Sequence, residues 1–299
     1  MNIAQEHDQL TFLEYRKQQE SHHKEMMKSS VDPFHGLMTI EVNATELCNR
    51  TCVFCPRHDP EVYPNQHLHM TPYMASIIAK NIADAKYFGR ISFSGYGENL
   101  MYKEFPEVVR EFRKALPNNI IECNTNGDIL LKKDGLARSL YESGLSFLYI
   151  NMYDGEWQRD EFLEVLDREK IPSDWYTFRK HWIDEDYGLK LNNRSGVLKW
   201  VDAETDLKNP CYYPSYKMMV DWNGNVLFCS NDWGREHVVG NLLHHKIKDI
   251  WLGEKMRAFR EKLGEGERQF SPCQNCSVEG DLFGDASYEH YMECKDHVL

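Results

Sequence analysis

Residues 45–57 read TELCNRTCVFCPR. Cys48, Cys52 and Cys55 share one short loop, and no fourth cysteine lies near them in sequence. Thiolates are soft donors that suit zinc and iron–sulfur clusters. A structural zinc site closes on four ligands, usually as two paired knuckles. Three thiolates in a tight loop hold three irons of a [4Fe–4S] cube and leave the fourth iron open to a ligand from outside the protein. Such a site is reactive, unlike a cluster held wholly by cysteine. Zinc and a redox relay are the alternatives at this stage.

Around the loop, strand and helix patterns alternate. LMTIEVNA precedes it as a β-type run. TPYMASIIAKNIADAKYFG opens a helix, with Thr71 as N-cap and Pro72 at the first helical position. RISFSG reads as a strand, and FPEVVREFRKAL as an amphipathic helix with Val108, Val109, Phe112 and Leu116 on one face. NIIECNTNG is a strand running into a turn, and DGLARSLYESG a helix closed by Gly144. LSFLYINMYDG, EWQRDEFLEVLDRE and DWYTFRKHW continue as strand, helix and strand. Alternation of this kind implies a parallel sheet or barrel. Four clear units are too few for a closed eight-fold barrel. In such folds the active site gathers at the C-terminal strand ends, which here carry the Cys48 loop, SGYGEN, NTNG and NMYDG.

The C-x3-C-x2-C loop after the first strand, with Phe54 just before the third cysteine, resembles the radical S-adenosylmethionine (SAM) superfamily. The resemblance implies an α/β fold, a partial (β/α)6 TIM-like barrel. It also implies that the open iron binds the amino and carboxylate groups of SAM. Reductive cleavage then yields a 5′-deoxyadenosyl radical that abstracts a hydrogen atom from the substrate. SGYGENL resembles the family's GGEP motif through Tyr96, Gly97 and Glu98. On that likeness Glu98 accepts from the SAM amino group and Gly97 lets the backbone approach the ligand, while Asn99 replaces the usual proline. NTNG, from Asn124, resembles the family's third strand end. Asn151 and Tyr153 would reach the ribose and Arg179 the SAM carboxylate. The plainer alternatives are a strand-end cap for the asparagine and a solvent-facing Arg179.

After about residue 200 the texture changes. CYYPSYKMMVDWNGNVLFCSND reads as a β-hairpin turning at Asn223-Gly224, and KIKDIWLGEKMRAFREKL as a helix. Cys211 and Cys229 bracket the hairpin, and Cys273 and Cys276 form a C-x2-C. With Gly224, this spacing resembles the opening of a SPASM domain. A full SPASM domain carries seven cysteines and two auxiliary clusters. Only Cys123 and Cys294 remain here, so the resemblance implies one auxiliary [4Fe–4S] cluster, the shortened twitch form. Zinc is the alternative at these four positions. We expect an N-terminal helical extension over 1–33, the partial barrel over 34–200 and a small iron–sulfur domain over 201–299.

A closed cluster suits electron transfer, and hence a two-electron oxidation. The spacing is close to that of the family's aminocyclitol dehydrogenases, which oxidise a ring alcohol to a ketone. Arg194, in LNNRSG, sits where those enzymes carry a substrate-contacting arginine. A guanidinium binds a hydroxyl or alkoxide but is a poor base; a turn arginine paired with an acid is the plainer alternative. If Cys294 reached the active site, its S–H could return a hydrogen atom, making the enzyme a redox-neutral epimerase; Cys123 is a weaker candidate. Peptide modification is a third possibility, against which the N-terminal stretch of about 30 residues is short for a leader-binding domain. A non-enzymatic electron-transfer protein is a fourth, against which stand the glutamate motif and the open three-cysteine site.

Composition sets the outer bounds. The formal net charge of −12 over 299 residues argues against sequence-independent nucleic-acid binding. No apolar run approaches the roughly 18–20 residues of a membrane-spanning helix, and the polar N-terminus has no signal-peptide core. A cytoplasmic protein is the default. There, nine cysteines are better explained by metal ligation than by disulfides. The expected partners are a small-molecule substrate and a reductase such as flavodoxin or ferredoxin. Residues 1 to about 30 read as a polar helix on the outside of the fold, with an apolar stripe at Leu10 and Leu13 beside Phe12 and Tyr15.

Overall fold

The structure, a computed structural model, describes residues 6–7, 9–182 and 191–297, with side chains from residue 16 onward except those of 19 and 297. Its strands are β1 (Glu6–His7), β2 (Thr39–Val42), β3 (Arg90–Phe93), β4 (Ile121–Thr125), β5 (Phe147–Met152), β6 (Tyr176–Lys180), β7 (Lys217–Val220), β8 (Asn225–Leu227) and β9 (Val238–Asn241). After α1 (Gln9–Lys28), the helices α2 (Pro72–Asp84), α3 (Phe105–Ala115), α4 (Leu136–Glu142) and α5 (Gln158–Arg168) connect β2 through β6. The C-terminal region adds α6 (Tyr213–Tyr216), α7 (Ile247–Trp251), α8 (Glu254–Gly264) and α9 (Asp285–Cys294).

Among the described residues, nine strands form one sheet in the order β1-β6-β5-β4-β3-β2-β7-β8-β9. Parallel neighbours need crossovers, and α2 to α5 supply them. Thr71 caps α2 by accepting the Met74 N–H at 3.2 Å. The outward strand residues, among them Ile40, Val42, Ile91, Phe93, Ile121, Leu148 and Ile150, are buried against Ile78, Ile82, Val108, Val109, Phe112, Leu140 and Phe162 of the helices. The opposite pleat is polar. Glu41 lies beside Ser92, Ser92 beside Glu122, Asn124 beside Tyr149, and Asn151 beside Arg179. The helices thus cover a hydrocarbon layer, while the concave side is free to hold polar ligands.

The expected α/β half-barrel is present, with strands at its two ends drawn from outside the expected barrel segment. Residues 39–180 provide β2 to β6. Strand β1 adds in parallel to β6, and β7, from beyond residue 200, pairs in parallel with β2. The hairpin itself is as expected: β7 and β8 are antiparallel, and Gly224 turns with φ +81°.

Two local expectations are corrected. The stretch KIKDIWLGEKMRAFREKL is two helices, because a Cβ at Gly253 would stand 2.5 Å from the Asp249 carbonyl oxygen where the chain turns. Helix α1 does more than lie on the outside. Arg16 donates to Glu122 on the concave face at 2.6 Å, and Glu20 accepts the Gly284 N–H at 3.0 Å. The side chains of Leu10, Phe12, Leu13 and Tyr15 lie outside the described residues. No helix among the described residues is long and apolar enough to cross a membrane.

Candidate active site

Cys48, Cys52 and Cys55 face one cavity of about 270 Å³ at the C-terminal ends of β2 to β6. Their loop is fastened from both sides. Asn65 accepts from Cys48 N at 2.7 Å and donates to Cys48 O at 2.9 Å. Arg50, inside the cysteine spacing, forms bidentate pairs with Asp128 after β4 and Asp154 after β5, at 2.6–2.8 Å. Burial pushes the Cys48 thiol up to about 11 and Cys52 to about 12, the neighbouring cysteines adding to the effect. Only a strong local positive charge would hold such thiols ionised, and iron supplies one. Among the described residues, no three His, Cys, Asp or Glu side chains converge closely enough to share one metal ion. Three thiols facing one cavity fit a cube that leaves one iron open better than a structural zinc, which closes on four ligands.

The other residues singled out for SAM border the same cavity: Phe54, Tyr96, Gly97, Glu98, Asn124, Asn151, Tyr153 and Arg179. Gly97 also lets the cysteine loop pack close, since a Cβ there would lie 2.0 Å from the Thr45 carbonyl oxygen. Glu98 is 4% exposed. Its carboxylate accepts from Leu100 N, Thr125 Oγ1 and Asn126 N at 2.7–3.1 Å, leaving capacity on Oε2 for one more donor. Burial pushes this carboxyl up against those donors, so an arriving ammonium group would be stabilised here. Asn151 donates to Thr125 O at 3.1 Å. Its buried Oδ1 has no hydrogen-bond partner among the described residues, an acceptor that suits a ribose hydroxyl. Phe54 and Tyr153 stack with centroids 5.9 Å apart, and Arg179 donates to Asn124 Oδ1 at 3.2 Å. Tyr96 donates to Asp232 O at 3.1 Å, which ties this motif to the C-terminal region.

Cys211, Cys229, Cys273 and Cys276 line a second, separate pocket with Phe228, Pro214 and Leu263. Burial raises the Cys211 thiol to about 11 and pushes Cys229 and Cys273 up further. Four thiols in a largely apolar pocket are a closed donor set, with no protein position left open for substrate.

A family model for the radical SAM superfamily matches residues 42–175, and one for an iron–sulfur cluster-binding domain, SPASM, matches residues 211–277. The chain carries a radical SAM domain followed by a SPASM domain. It is similar to the S-adenosyl-L-methionine-dependent 2-deoxy-scyllo-inosamine dehydrogenase of Niallia circulans, with 29% identity over 252 residues, 83% of this chain and 94% of that one. The crystal structure of BtrN in complex with AdoMet and 2-DOIA superposes with a TM-score of 0.67 at 28% identity, covering 83% of this chain and 97% of that one. Native anSMEcpe with bound AdoMet shares the fold, with a TM-score of 0.53 at 13% identity over 87% of this chain and 98% of that one. Radical SAM and SPASM domains imply a SAM-binding [4Fe–4S] cluster and auxiliary-cluster chemistry, and the similar dehydrogenase is an oxidoreductase.

Beneath the SAM-site cavity lies an inner cavity of about 390 Å³. The two share Glu41, Ser94, Asn124 and Arg179 as walls. Glu41 pairs with Lys217 at 2.6 Å and accepts from Ser94 Oγ at 2.6 Å. Burial pushes its carboxyl up, but the Lys217 ammonium and the hydrogen bonds from Lys217, Ser94 and Ser230 hold it below the usual range. Tyr213 lines both this cavity and the four-cysteine pocket of the SPASM domain.

Sequence reasoning missed Glu41, Lys217, Tyr213, Arg50 and His181. His181 borders the SAM-site cavity against Phe54 and Tyr153. Burial, with Arg179 and Arg194 nearby, lowers it to about 3, so its ring is neutral. Arg194 does reach the SAM-site cavity, its Nε 3.5 Å from Phe54 O. Cys294 does not, which corrects the hydrogen-donor expectation. It is buried in α9 with Sγ 3.8 Å from His290 Nδ1. That helix packs on residues 33–36, before β2, with His290 Nε2 3.0 Å from Asp32 O. The cysteine loop follows the other end of β2. Cys123 is fully buried and packs in the core under the helices rather than in the cavity.

Proposed function

We propose that this enzyme oxidises a secondary alcohol of a small polyhydroxylated molecule, an aminocyclitol or sugar, to the ketone. One observation carries the reading. The inner cavity shares a wall of Glu41, Ser94, Asn124 and Arg179 with the SAM-site cavity, and Tyr213 lines both it and the four-cysteine pocket. The similarity to a 2-deoxy-scyllo-inosamine dehydrogenase supports the substrate class.

Cys48, Cys52 and Cys55 would hold the SAM-binding cluster, which with SAM would supply a hydrogen-abstracting radical, and Cys211, Cys229, Cys273 and Cys276 would hold an auxiliary cluster, which would supply a one-electron acceptor. The chain's own residues handle orientation and the proton. Glu98 and Arg179 receive the charged ends of SAM, Asn151 and Tyr153 its ribose, and Tyr96 and Phe54 flank it. Glu41, ionised and on the wall common to both cavities, takes the hydroxyl proton. Arg194, on the wall of the SAM-site cavity, orients the hydroxyl. A hydrogen atom, a proton and an electron together account for the two hydrogens lost.

The division at 33/34 and 200/201, a cytoplasmic location and a flavodoxin or ferredoxin as reductant belong to the same proposal. They are supported by the change of texture along the chain, the free thiols that the two cysteine sites require and the need for a low-potential electron. The test is incubation of reduced, cluster-loaded enzyme with SAM and a panel of aminocyclitols and sugars. The expected result is 5′-deoxyadenosine in step with a product lighter by two hydrogens. A product of unchanged mass that carries one solvent deuterium would overturn oxidation.

A further inference from the structure

The two cysteine sites are joined by a short strap, residues 192–200. Asn193 fastens it to the loop of the second site. Its Nδ2 donates to Asn275 O at 2.8 Å, its Oδ1 accepts from Ser277 N at 3.0 Å, and its own N–H donates to Ser277 Oγ at 2.8 Å. Those partners flank Cys276. At the other end Trp200 Nε1 donates to Val53 O at 2.9 Å, and Arg194 reaches Phe54 O, both inside the first cysteine loop. Between these anchors the chain is strained. Arg194, Ser195 and Gly196 have φ of +47°, +56° and +84° in succession. Two non-glycine residues in the left-handed region persist only where surrounding bonds over-determine them. Here the determining bonds are those of Asn193, which is 5% exposed and whose carbonyl also accepts the N–H groups of Gly196 and Leu198 at 3.0 Å. Ser195 borders the four-cysteine pocket and Arg194 the SAM-site cavity, so one strained turn forms part of the wall of both.

We propose that Asn193 is a positioning residue that couples the two sites: by fastening the strap to the Cys273–Cys276 loop, it holds Arg194 against the first cysteine loop. Order in the four-cysteine loop and placement of Arg194 then rise and fall together. The proposal rests on the reading of two clusters.

The test is hydrogen exchange at the Gly196 and Leu198 amides in cluster-loaded protein, which reports opening of the strap. Asn193→Ala should exchange there about 10-fold faster or more, with β2 to β6 unchanged. Cys273→Ser/Cys276→Ser should do the same without touching the strap. Equal exchange in either variant overturns the coupling. A structural scar would stop there. A positioning role also requires that Asn193→Ala, with its iron retained, alter the change that SAM makes in the electron paramagnetic resonance spectrum of the reduced first cluster; an unaltered change counts against it. If Asn193→Ala does not fold, Ser277→Ala, which removes only the acceptor of the Asn193 N–H, must still speed exchange. Iron analysis separates the two failures. About four irons per wild-type chain instead of about eight refutes the two-cluster reading, whereas the Asn193→Ala comparison still judges the fastening.

Discussion

A carboxylate inside a protein stays charged only where a cation or hydrogen-bond donors hold it, and Glu41 has both. Lys217 and Ser94 approach it at 2.6 Å each. With its pKa depressed, the group is ionised at neutral pH and free of a proton, so the rate should show no titration of this carboxyl near neutrality. Glu41→Gln should lower kcat about 10²–10⁴-fold, and raising the pH should not restore it. Steady-state rates across the pH range check this; a variant within a few-fold of wild type sinks the role. Gly97→Ala tests a different kind of necessity. Its Cβ would meet the backbone oxygen of Thr45 at 2.0 Å, and backbone cannot swing aside. The first loop should be displaced, and reconstituted protein should hold about four irons per chain rather than about eight, counted by iron assay. The cysteines and Glu98 were legible because few other chemistries use those residue types at that spacing. Glu41 was not. The run Thr39-Ile40-Glu41-Val42 puts it on the face opposite Ile40 and Val42, but nothing in one strand says that this face lines a cavity.

At the scale of elements, α1 is held by charge. Glu122 is fully buried on β4, with Arg16 from α1 at 2.6 Å and Arg90 at 3.7 Å. Burial pushes the Glu122 carboxyl up, and the two guanidiniums pull it below its ordinary value. Its folded pKa is therefore depressed, and its stabilising contribution is present above the unfolded carboxylate pKa and lost as pH falls through the folded one. Arg16→Met leaves a buried carboxylate short of a partner and should cost about 3–5 kcal/mol near pH 7. The deficit should shrink in acid, where the carboxyl is protonated, and Arg16→Met/Glu122→Gln should recover most of it. Urea melts of the three proteins at two pH values check the cycle; an additive double variant removes the pair from the account. Helix α1 itself was legible, but its role was not, because a polar helix reads as a solvent-facing one. The break at Gly253 was hidden for the opposite reason: the sequence on both sides favours helix, and only the close Asp249 carbonyl requires a turn.

For the whole molecule, the decisive contact is β7 on β2. The hairpin and its cysteine ligands were readable from the Asn-Gly turn and the C-x2-C, yet parallel addition to a strand about 180 residues earlier is a non-local event that no local pattern encodes. It makes the two cysteine-bearing regions one sheet. Side chains reinforce the seam. Arg57 donates to Glu46 at 2.7 Å within the first loop, and Arg235 bridges Glu46 to Asp221 at the end of β7. Asn43, just past β2, donates to both Glu46 and Asp221 at 2.8 Å. Asp221 is 1% exposed and Glu46 8%, so neither carboxylate can turn to water when the seam opens partway. Loosening β7 therefore strips β2 of its neighbour and strands two buried acids at the root of the Cys48 loop. Cys229→Ser, which weakens the grip on the end of β8, should accordingly lower the melting temperature of the entire chain. Far-UV circular dichroism and the visible absorbance of the first cluster should then fall with one shared midpoint, as all-or-none unfolding requires. If instead the first cluster outlasts the SPASM region in a two-step melt, the two regions are separate folding units and the seam between β2 and β7 is only a contact.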